Sequence, residues 1–344
     1  MKILWLKDKK TGHLNKAKGL LRAIAETQKI EIVEHELQWR WSGIRTLLAL
    51  LGSIGFKLPL KWLFKNPPQC NGVSLILSAG GATMWPNAAI AYKHNIPNVF
   101  LGSTRQMNPS FFSMVALHDP QTDTPPFFRY EIMPSLITPD LANKDASASG
   151  IVDNNAWGLL VGGDGEDIFW KESDYRHLAE TFIAQAKSAN VRIRFATSRR
   201  TPKQVESMLR TLAIESGILS SACWCHEPDK SSHSLRAFMG ACTRICVTAD
   251  SMSMTHEAIS SGRPVIVILP ESGGNSRLIN ALTLLENSHR IVIQRLSTIS
   301  IAEAKHADAW NIINHDPAHD LAVAVIHLWN SKACNSSHHT NIIP

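Results

Sequence analysis

Residues 243–269, TRICVTADSMSMTHEAISSGRPVIVIL, spell out a strand, a tight loop, a helix and a second strand. Arg244–Val247 supplies the first apolar run, and Asp250, Ser251 and Ser253 are each suited to cap a helix over Met252–Ser261. Gly262 stands where a helix end favours a left-handed residue, and Pro264 prevents continuation before the second run, Val265–Leu269. A helix entered in this way turns unpaired N–H groups and the positive end of its dipole toward the loop, which favours an anion. Glu257, one turn further on, is placed to accept hydrogen bonds from sugar hydroxyls. Phosphate followed by ribose suits that order. A buried βαβ unit without a ligand uses the same residue types, so the wider pattern has to decide.

That pattern recurs along the chain. Ile3–Leu6 is a first strand, followed by the loop Asp8–His13 and helical spacing over Leu14–Glu26. Ile30–Leu37 alternates as a second strand, and Val73–Leu77 reads as a buried third, ending in Ser78–Thr83 and a helix to Lys93. Asn98–Leu101 and Ser113–Leu117 are two more strands. Residues 134–156 lose the alternation and read as a linker. It restarts with a strand at Trp157–Val161 and Gly162-Gly163-Asp164-Gly165, then a helix over 173–189 and a strand at Val191–Ala196. A helix over Thr201–Glu215, a strand at Ala222–Cys225 and a helix over Ser231–Ala241 precede the opening unit. A helix over Ser276–Glu286, a last helix from Pro317 to Trp329 and a polar tail from Asn330 follow. The expectation is an α/β protein of two Rossmann-like domains, 1–150 and 151–330, each built on a parallel sheet, with a tail over 331–344.

Composition agrees with two domains. The chain has 344 residues, and its hydrophobic fraction of 44% is that of a soluble globular protein. The net charge of +6 is uneven: residues 1–150 hold 17 Lys and Arg against 10 Asp and Glu, whereas 151–344 hold 18 against 19. An anionic partner is therefore expected on the first half. The six cysteines form no CxxC pair and read as small buried hydrophobes in a reducing compartment. The apolar run at the N-terminus is too short for a signal peptide, which makes the cytoplasm the default location.

One segment stands apart. Trp39–Lys65 carries Arg40, Arg45, Lys57, Lys61 and Lys65, three tryptophans (Trp39, Trp41, Trp62) and no acid. Its apolar centre, Thr46–Phe56, has 11 residues, against the roughly 20 needed to span a bilayer. Cationic ends and a short greasy core fit a segment lying on an anionic leaflet. The competing reading is a helix packed on the domain's own sheet.

Ligands of open α/β sheets bind beyond the carboxyl ends of the strands, and four such ends are chemically loaded. At the first, Thr11-Gly12-His13 precedes a helix; the His13 imidazole is suited to take a proton from a hydroxyl, with Asp8 as the rival base. At the second, Gly80 and Gly81 permit close approach of a ligand. At the third, the N–H groups of Gly162–Gly165 are candidates for an anion nest. At the fourth, Thr201 with Gln204 reads as a capping box with Pro202 at the first helical position, so Arg199 and Arg200 lie on the loop before a helix and suit a diphosphate. No Asp-x-Asp, GxxxxGK[ST] or HExxH occurs, the fragment at 162–165 is not a full GxGxxG, and no zinc site is indicated.

The combination Asp8-x-x-Thr11-Gly12-His13-x-Asn15, the strand ending in Gly162-Gly163, Thr197-Ser198-Arg199-Arg200-Thr201-Pro202, and Ala249-Asp250-Ser251-x-Ser253-Met254-x-x-Glu257-Ala258 resembles the ELM-type mitochondrial fission family. That family is regarded as a group of GT-B glycosyltransferases; more distantly, the layout is similar to MurG-type transferases. The resemblance spans roughly residues 1–330, although Trp39–Lys65 is longer and greasier than the family leads one to expect.

It implies two parallel-sheet domains facing across a cleft and a metal-independent transferase without a cofactor. The donor nucleotide sugar is then held by Gly163, Asp164, Ser198, Arg199, Arg200, Thr201, Asp250, Ser251, Ser253, Met254 and Glu257. His13 or Asp8 is the catalytic base, and Thr11, Gly12, Asn15, Gly80 and Gly81 face the acceptor. The helix over 317–330 then crosses back to the first domain, while the interfacial reading of the segment itself has Trp39, Trp41, Arg45, Lys57, Lys61 and Trp62 meet the membrane. The expected partners are a nucleotide sugar, an anionic glycolipid such as lipopolysaccharide or lipooligosaccharide core, and the inner face of the cytoplasmic membrane, with no nucleic acid. The alternatives are a non-catalytic, membrane-recruited interaction protein and a sugar-nucleotide 2-epimerase.

Overall fold

The computed structural model describes residues 1–41, 44, 48, 56, 58–105, 107–119, 122–151, 155–165, 168–230, 233–301 and 310–337. The chain divides into two compact units, Met1–Leu136 with Pro317–Pro344, and Ile137–Asp316.

The first unit is a six-stranded parallel sheet in the order β2-β1-β3-β4-β5-β6. Its strands are β1 (Lys2–Lys7), β2 (Glu31–Glu36), β3 (Leu75–Ala79), β4 (Asn98–Leu101), β5 (Met114–Leu117) and β6 (Phe127–Arg129). A strand buried on both faces is apolar at successive positions, and β1 shows why. Ile3 and Trp5 pack on one side with the helix α1 (Thr11–Thr27), whereas Leu4 and Leu6 pack on the other with α2 (Gly81–His94). The last helix, His319–Ser337, lies against α1 through Leu321, Ala322 and Val325. It extends into what the sequence reads as a polar tail.

The second unit is also a six-stranded parallel sheet, ordered β12-β11-β10-β7-β8-β9. It contains α3 (Pro139–Ala148), β7 (Ala156–Val161), α4 (Glu172–Ser188), β8 (Arg192–Thr197), α5 (Lys203–Glu215), β9 (Leu219–Cys223), α6 (Leu235–Gly240), β10 (Arg244–Thr248), α7 (Met252–Ser260), β11 (Val265–Leu269), α8 (Ser276–Asn287) and β12 (Ile291–Arg295).

The expected linker over 134–156 is a correction. Thr138 caps α3 by accepting from the Leu141 N–H, with Pro139 in the first turn. The helix then packs on α6, where Gly240 leaves room for the Ala142 carbonyl and Arg236 pairs with Asp145 at 2.6 Å. The boundary therefore falls at 136/137 and not near 150. Edge strands β6 and β12 were also absent from the sequence reading. Edge strands are short and half-exposed, so their apolar runs are weak.

In the Trp39–Lys65 segment, the antiparallel bridge Trp39–Phe64, with Arg40 N–H donating to Leu63 and Lys65 N–H to Gln38, closes the two ends on each other. The described apolar side chains Leu48, Phe56, Leu60, Leu63 and Phe64 are buried against Trp85 and Phe100 of their own unit. For these residues the packed reading holds. Trp41 and Trp62 remain 61% and 62% exposed, with the Trp41 indole N–H donating to the Trp62 carbonyl at 3.3 Å. Lys61 is exposed beside them, and Arg45 and Lys57 lie outside the described residues. Among the described residues no helix is long and apolar enough to cross a membrane.

Of the cysteines, Cys242 and Cys246 are buried, whereas Cys70, Cys223 and Cys225 are half-buried. Burial pushes the Cys242 and Cys246 thiols up to about 12. At pH 8 their thiolate fraction is then about 10⁻⁴, since each unit is tenfold. Iodoacetamide on the native protein is expected to modify Cys70 and Cys225 first and to reach Cys242 and Cys246 only on unfolding. Mass spectrometry of peptides checks this, and native labelling of Cys246 at the rate of Cys70 would contradict the packing.

Candidate functional site

Each sheet has one place where the strand order reverses, and there the loops after two neighbouring strands open a crevice. In the first unit the reversal lies between β1 and β3; in the second, between β7 and β10. The chemically loaded loops fall at these two points.

At the first, Asp8 follows β1 and His13 lies in the first turn of α1, which begins at Thr11, three residues earlier than the spacing suggests. His13 Nδ1 lies 2.7 Å from Asp8 Oδ2. The two are thus partners rather than rival bases: the carboxylate sets the ring's tautomer and orientation, and Nε2 is the nitrogen left for proton transfer. Gly80, at φ +91°, follows β3, and a side chain there would overlap both His13 and Asp8. Gly81 begins α2 with open space around its α-carbon. Thr11, Gly12 and Asn15 share the first turns of α1. One turn beyond His13, Lys16 donates to the Tyr130 hydroxyl at 3.2 Å.

At the second, Ser251 caps α7, its hydroxyl accepting from the Met254 N–H at 3.4 Å. The N–H groups of Met252 and Ser253 are left by helix geometry without an intrahelical acceptor. Ser253 and Met254 lie in the first turn of α7, and half-buried Glu257 lies in its second.

Asp250 is not the cap of α7. Its carboxylate is fully buried, accepts the Gly163 N–H at 3.0 Å, and pairs with Arg200 Nη2 at 2.8 Å. Burial pushes its carboxyl up, against the pull of hydrogen bonding from Thr248 and Gly163 and of the Arg200 charge. Arg200 Nη1 and Nη2 also donate to the Asp250 carbonyl, each at 3.2 Å.

The Gly162–Gly165 reading is corrected by the same contacts. Gly162 N–H donates to the Thr248 hydroxyl, Gly163 N–H to Asp250 and Gly165 N–H to the Ile168 carbonyl. As an anion nest these groups are already taken. The glycines serve close packing: a side chain would overlap the Asp250 carboxylate at Gly162, the Arg200 carbonyl at Gly163 and the Arg200 guanidinium at Gly165. Asp164 is exposed and accepts the Trp170 N–H at 3.0 Å, closing the loop on itself.

Thr201 does not form a capping box. Pro202 occupies the cap position of α5 without a side-chain cap, and the buried Thr201 hydroxyl instead accepts the Ser198 N–H and donates to the Val161 or Gly162 carbonyl. Ser198 accepts the Arg200 N–H at 3.1 Å, which tightens the turn that presents Arg199 and Arg200.

Two residues that sequence reasoning missed hold this edge. Glu206, buried in the first turn of α5, accepts the Thr197 hydroxyl and the N–H groups of Cys225 and His226. It thus ties β8, α5 and the loop after β9 together. Thr248 ends β10 under Gly162. The acid in the first turn of α5 was a visible signal; its partners were not.

Compared with known proteins, a family model described as mitochondrial fission ELM1 matches residues 11–329. No functionally curated protein matches the chain in sequence. Among solved structures, MurG of Acinetobacter baumannii is 12% identical over 98% of this chain and 95% of that one, with a TM-score of 0.52. The UDP-GlcNAc 2-epimerase of Methanocaldococcus jannaschii is 11% identical over 95% and 99%, with a TM-score of 0.54. These likenesses show the fold, which is α/β of the GT-B type.

If the β7 glycines are there for packing, Gly163→Ala should lower stability by about 1–3 kcal/mol through overpacking. Gly81→Ala, with open space and an ordinary backbone, should change it by less than about 0.5 kcal/mol. Urea denaturation of the two variants makes the comparison. Equal midpoints would show that the Gly163–Arg200 approach is dispensable.

Proposed function

We propose, from the premise that this chain belongs to the mitochondrial fission ELM1 family, that it is a metal-independent glycosyltransferase. It moves a sugar from a nucleoside diphosphate sugar to a membrane-anchored glycolipid, with lipopolysaccharide or lipooligosaccharide core as the acceptor class. The observation that carries the reading is the second switch point: Arg200 lies at the N-terminus of α7, the two positive features that a diphosphate requires.

In this reading the N–H groups of Met252 and Ser253 and the cations Arg199 and Arg200 hold the diphosphate, and Glu257 accepts from the ribose hydroxyls. As the glycosidic bond breaks, charge grows on the departing diphosphate, and fixed cations and helix N–H groups stabilise it without reorganisation. His13 Nε2 takes the proton of the acceptor hydroxyl, and Asp8 steadies the imidazolium that results. The exposed Trp41 and Trp62, beside Lys61, rest on the anionic leaflet that holds the acceptor. The protein is then peripheral on the cytoplasmic membrane, and the buried part of that segment is its support.

A thermal-shift screen against UDP-, GDP-, CMP- and ADP-linked sugars, with magnesium and with EDTA, tests the donor. A sugar nucleotide at 100 times its dissociation constant should stabilise the native state by about 2.7 kcal/mol. The shift should survive EDTA and be lost in Glu257→Ala; no shift with any of them at millimolar concentration would leave the interaction-protein reading ahead.

His13→Gln should keep the donor shift and lower turnover by about 10²–10⁴. Single-turnover transfer to lipooligosaccharide measures that loss, and unchanged transfer would remove His13 from the mechanism. If the hydroxyl-bearing product is instead a 2-epimer of the sugar nucleotide, formed without acceptor, the protein is an epimerase.

Sedimentation with phosphatidylglycerol vesicles should bring down the wild type and leave Trp41→Ala/Trp62→Ala in solution. Equal recovery of both would remove this surface from the membrane.

A further inference from the structure

The Arg200–Asp250 pair sets a cation where the fold already places a positive helix end. The guanidinium donates to both the carboxylate and the carbonyl of the residue just before the cap of α7. A cation and a helix N-terminus repel unless negative charge lies between them. Asp250 is that charge, and its side chain has no exposed surface. Arg200 is 41% exposed, so its solvent side is open to a second anion.

Resting on the donor-binding reading above, we propose that Asp250 is a positioning residue that stores Arg200 at the α7 N-terminus. It gives the guanidinium up to the diphosphate and takes a proton from solvent as it does so. The ion pair opens, the Arg200 N–H groups turn to phosphate oxygens, and one O–H bond forms on the Asp250 carboxylate. No electrons are exchanged.

The surroundings favour this outcome. Burial already pushes the Asp250 carboxyl up, and the Arg200 charge is one of the influences holding it down. Removing that charge and adding phosphate both favour the neutral acid. Among the described residues, Asp164, from the β7 loop, and Asp174, from α4, act here on Tyr175 of α4 together with Asp250 and Arg200, and the cation Arg199 stands next to Arg200 on the loop after β8. Asp164 and Asp174 add negative charge. Tyr175 is buried, and that burial, followed by the Asp250 and Asp164 charges, drives its phenol upward, so it stays neutral and does not compete for the role. Thr248 and the Gly163 N–H remain as hydrogen-bond partners of Asp250. Protons are thus bound on complex formation, and affinity rises as pH falls toward the carboxyl's range and declines as pH rises past it.

Calorimetric titration of the full chain, in two buffers of different ionisation enthalpy at pH 6 and 7.5, counts these protons. The probe is UDP-N-acetylglucosamine, or the GDP- or ADP-linked sugar that stabilises the protein in the thermal screen. Wild type is expected to take up a substantial fraction of one proton, and its affinity to tighten by at most about tenfold per pH unit on acidification. The near-isosteric Asp250→Asn should bind with no uptake and a flat pH dependence, and Arg200→Gln should bind more weakly and also without uptake.

Equal uptake in wild type and either variant overturns the hand-over while leaving donor binding intact. If no sugar nucleotide binds, the donor reading falls, and inorganic pyrophosphate becomes the probe. Its own titration cancels between wild type and Asp250→Asn. A wild-type excess of proton uptake with pyrophosphate still supports the hand-over, and no excess, or no binding, overturns it.

Discussion

A buried carboxylate facing an arginine organises the second unit. Asp250 cannot stay charged in the interior without partners, and it finds them in Arg200 and the Gly163 N–H. Meeting that requirement brings the loops after β7, β8 and β10 into contact. Gly162, Gly163 and Gly165 are glycines because the pair occupies the space where their side chains would go. Thr201 and Thr248 are buried because they tie off the same loops, at Val161, Gly162 and Ser198. The pair also leaves α7 with a clear N-terminus, capped by Ser251 and flanked by a partly exposed guanidinium.

The first unit uses the same device at lower charge. Asp8 and His13 meet across the end of β1, and Gly80 gives them room. In both units a carboxylate next to the switch point orients a nitrogenous side chain. One of these can move a proton; the other can neutralise an anion. Under the proposed function, the first would serve acceptor activation and the second leaving-group stabilisation. The division arises from parallel sheets whose strand order reverses once.

Much of this was legible in the amino-acid string, and the parts that were not share a cause. Inner strands such as β1, β3, β7 and β11 show as unbroken apolar runs because each is covered on two faces. Ser251 is recognisable as a cap because its acceptor role reaches only to Met254. The linker reading failed at Thr138-Pro139, where a cap signal introduces a short helix whose reason to form is α6, 91 positions away along the Arg236–Asp145 pair. The Trp39–Lys65 segment was ambiguous for a related reason. Its greasy residues serve a core as well as they would serve a lipid surface, and only their neighbours Trp85 and Phe100 decide.

The sequence by itself determined the α/β class, the repeated strand–loop–helix units and the residues standing at strand ends. Periodicity, caps and turn residues act within a few positions, and such rules can be read in one dimension. Only the tertiary structure decided that Arg200 and Asp250 meet across 50 residues, that the Gly162 and Gly163 N–H groups are occupied, and that Asp8 and His13 act as one pair. Whether a donor is open to a ligand or already used depends on which strand ends the sheet places side by side. That is set by the order β10-β7-β8, in which β7 separates two strands that follow one another only after some 50 residues of chain.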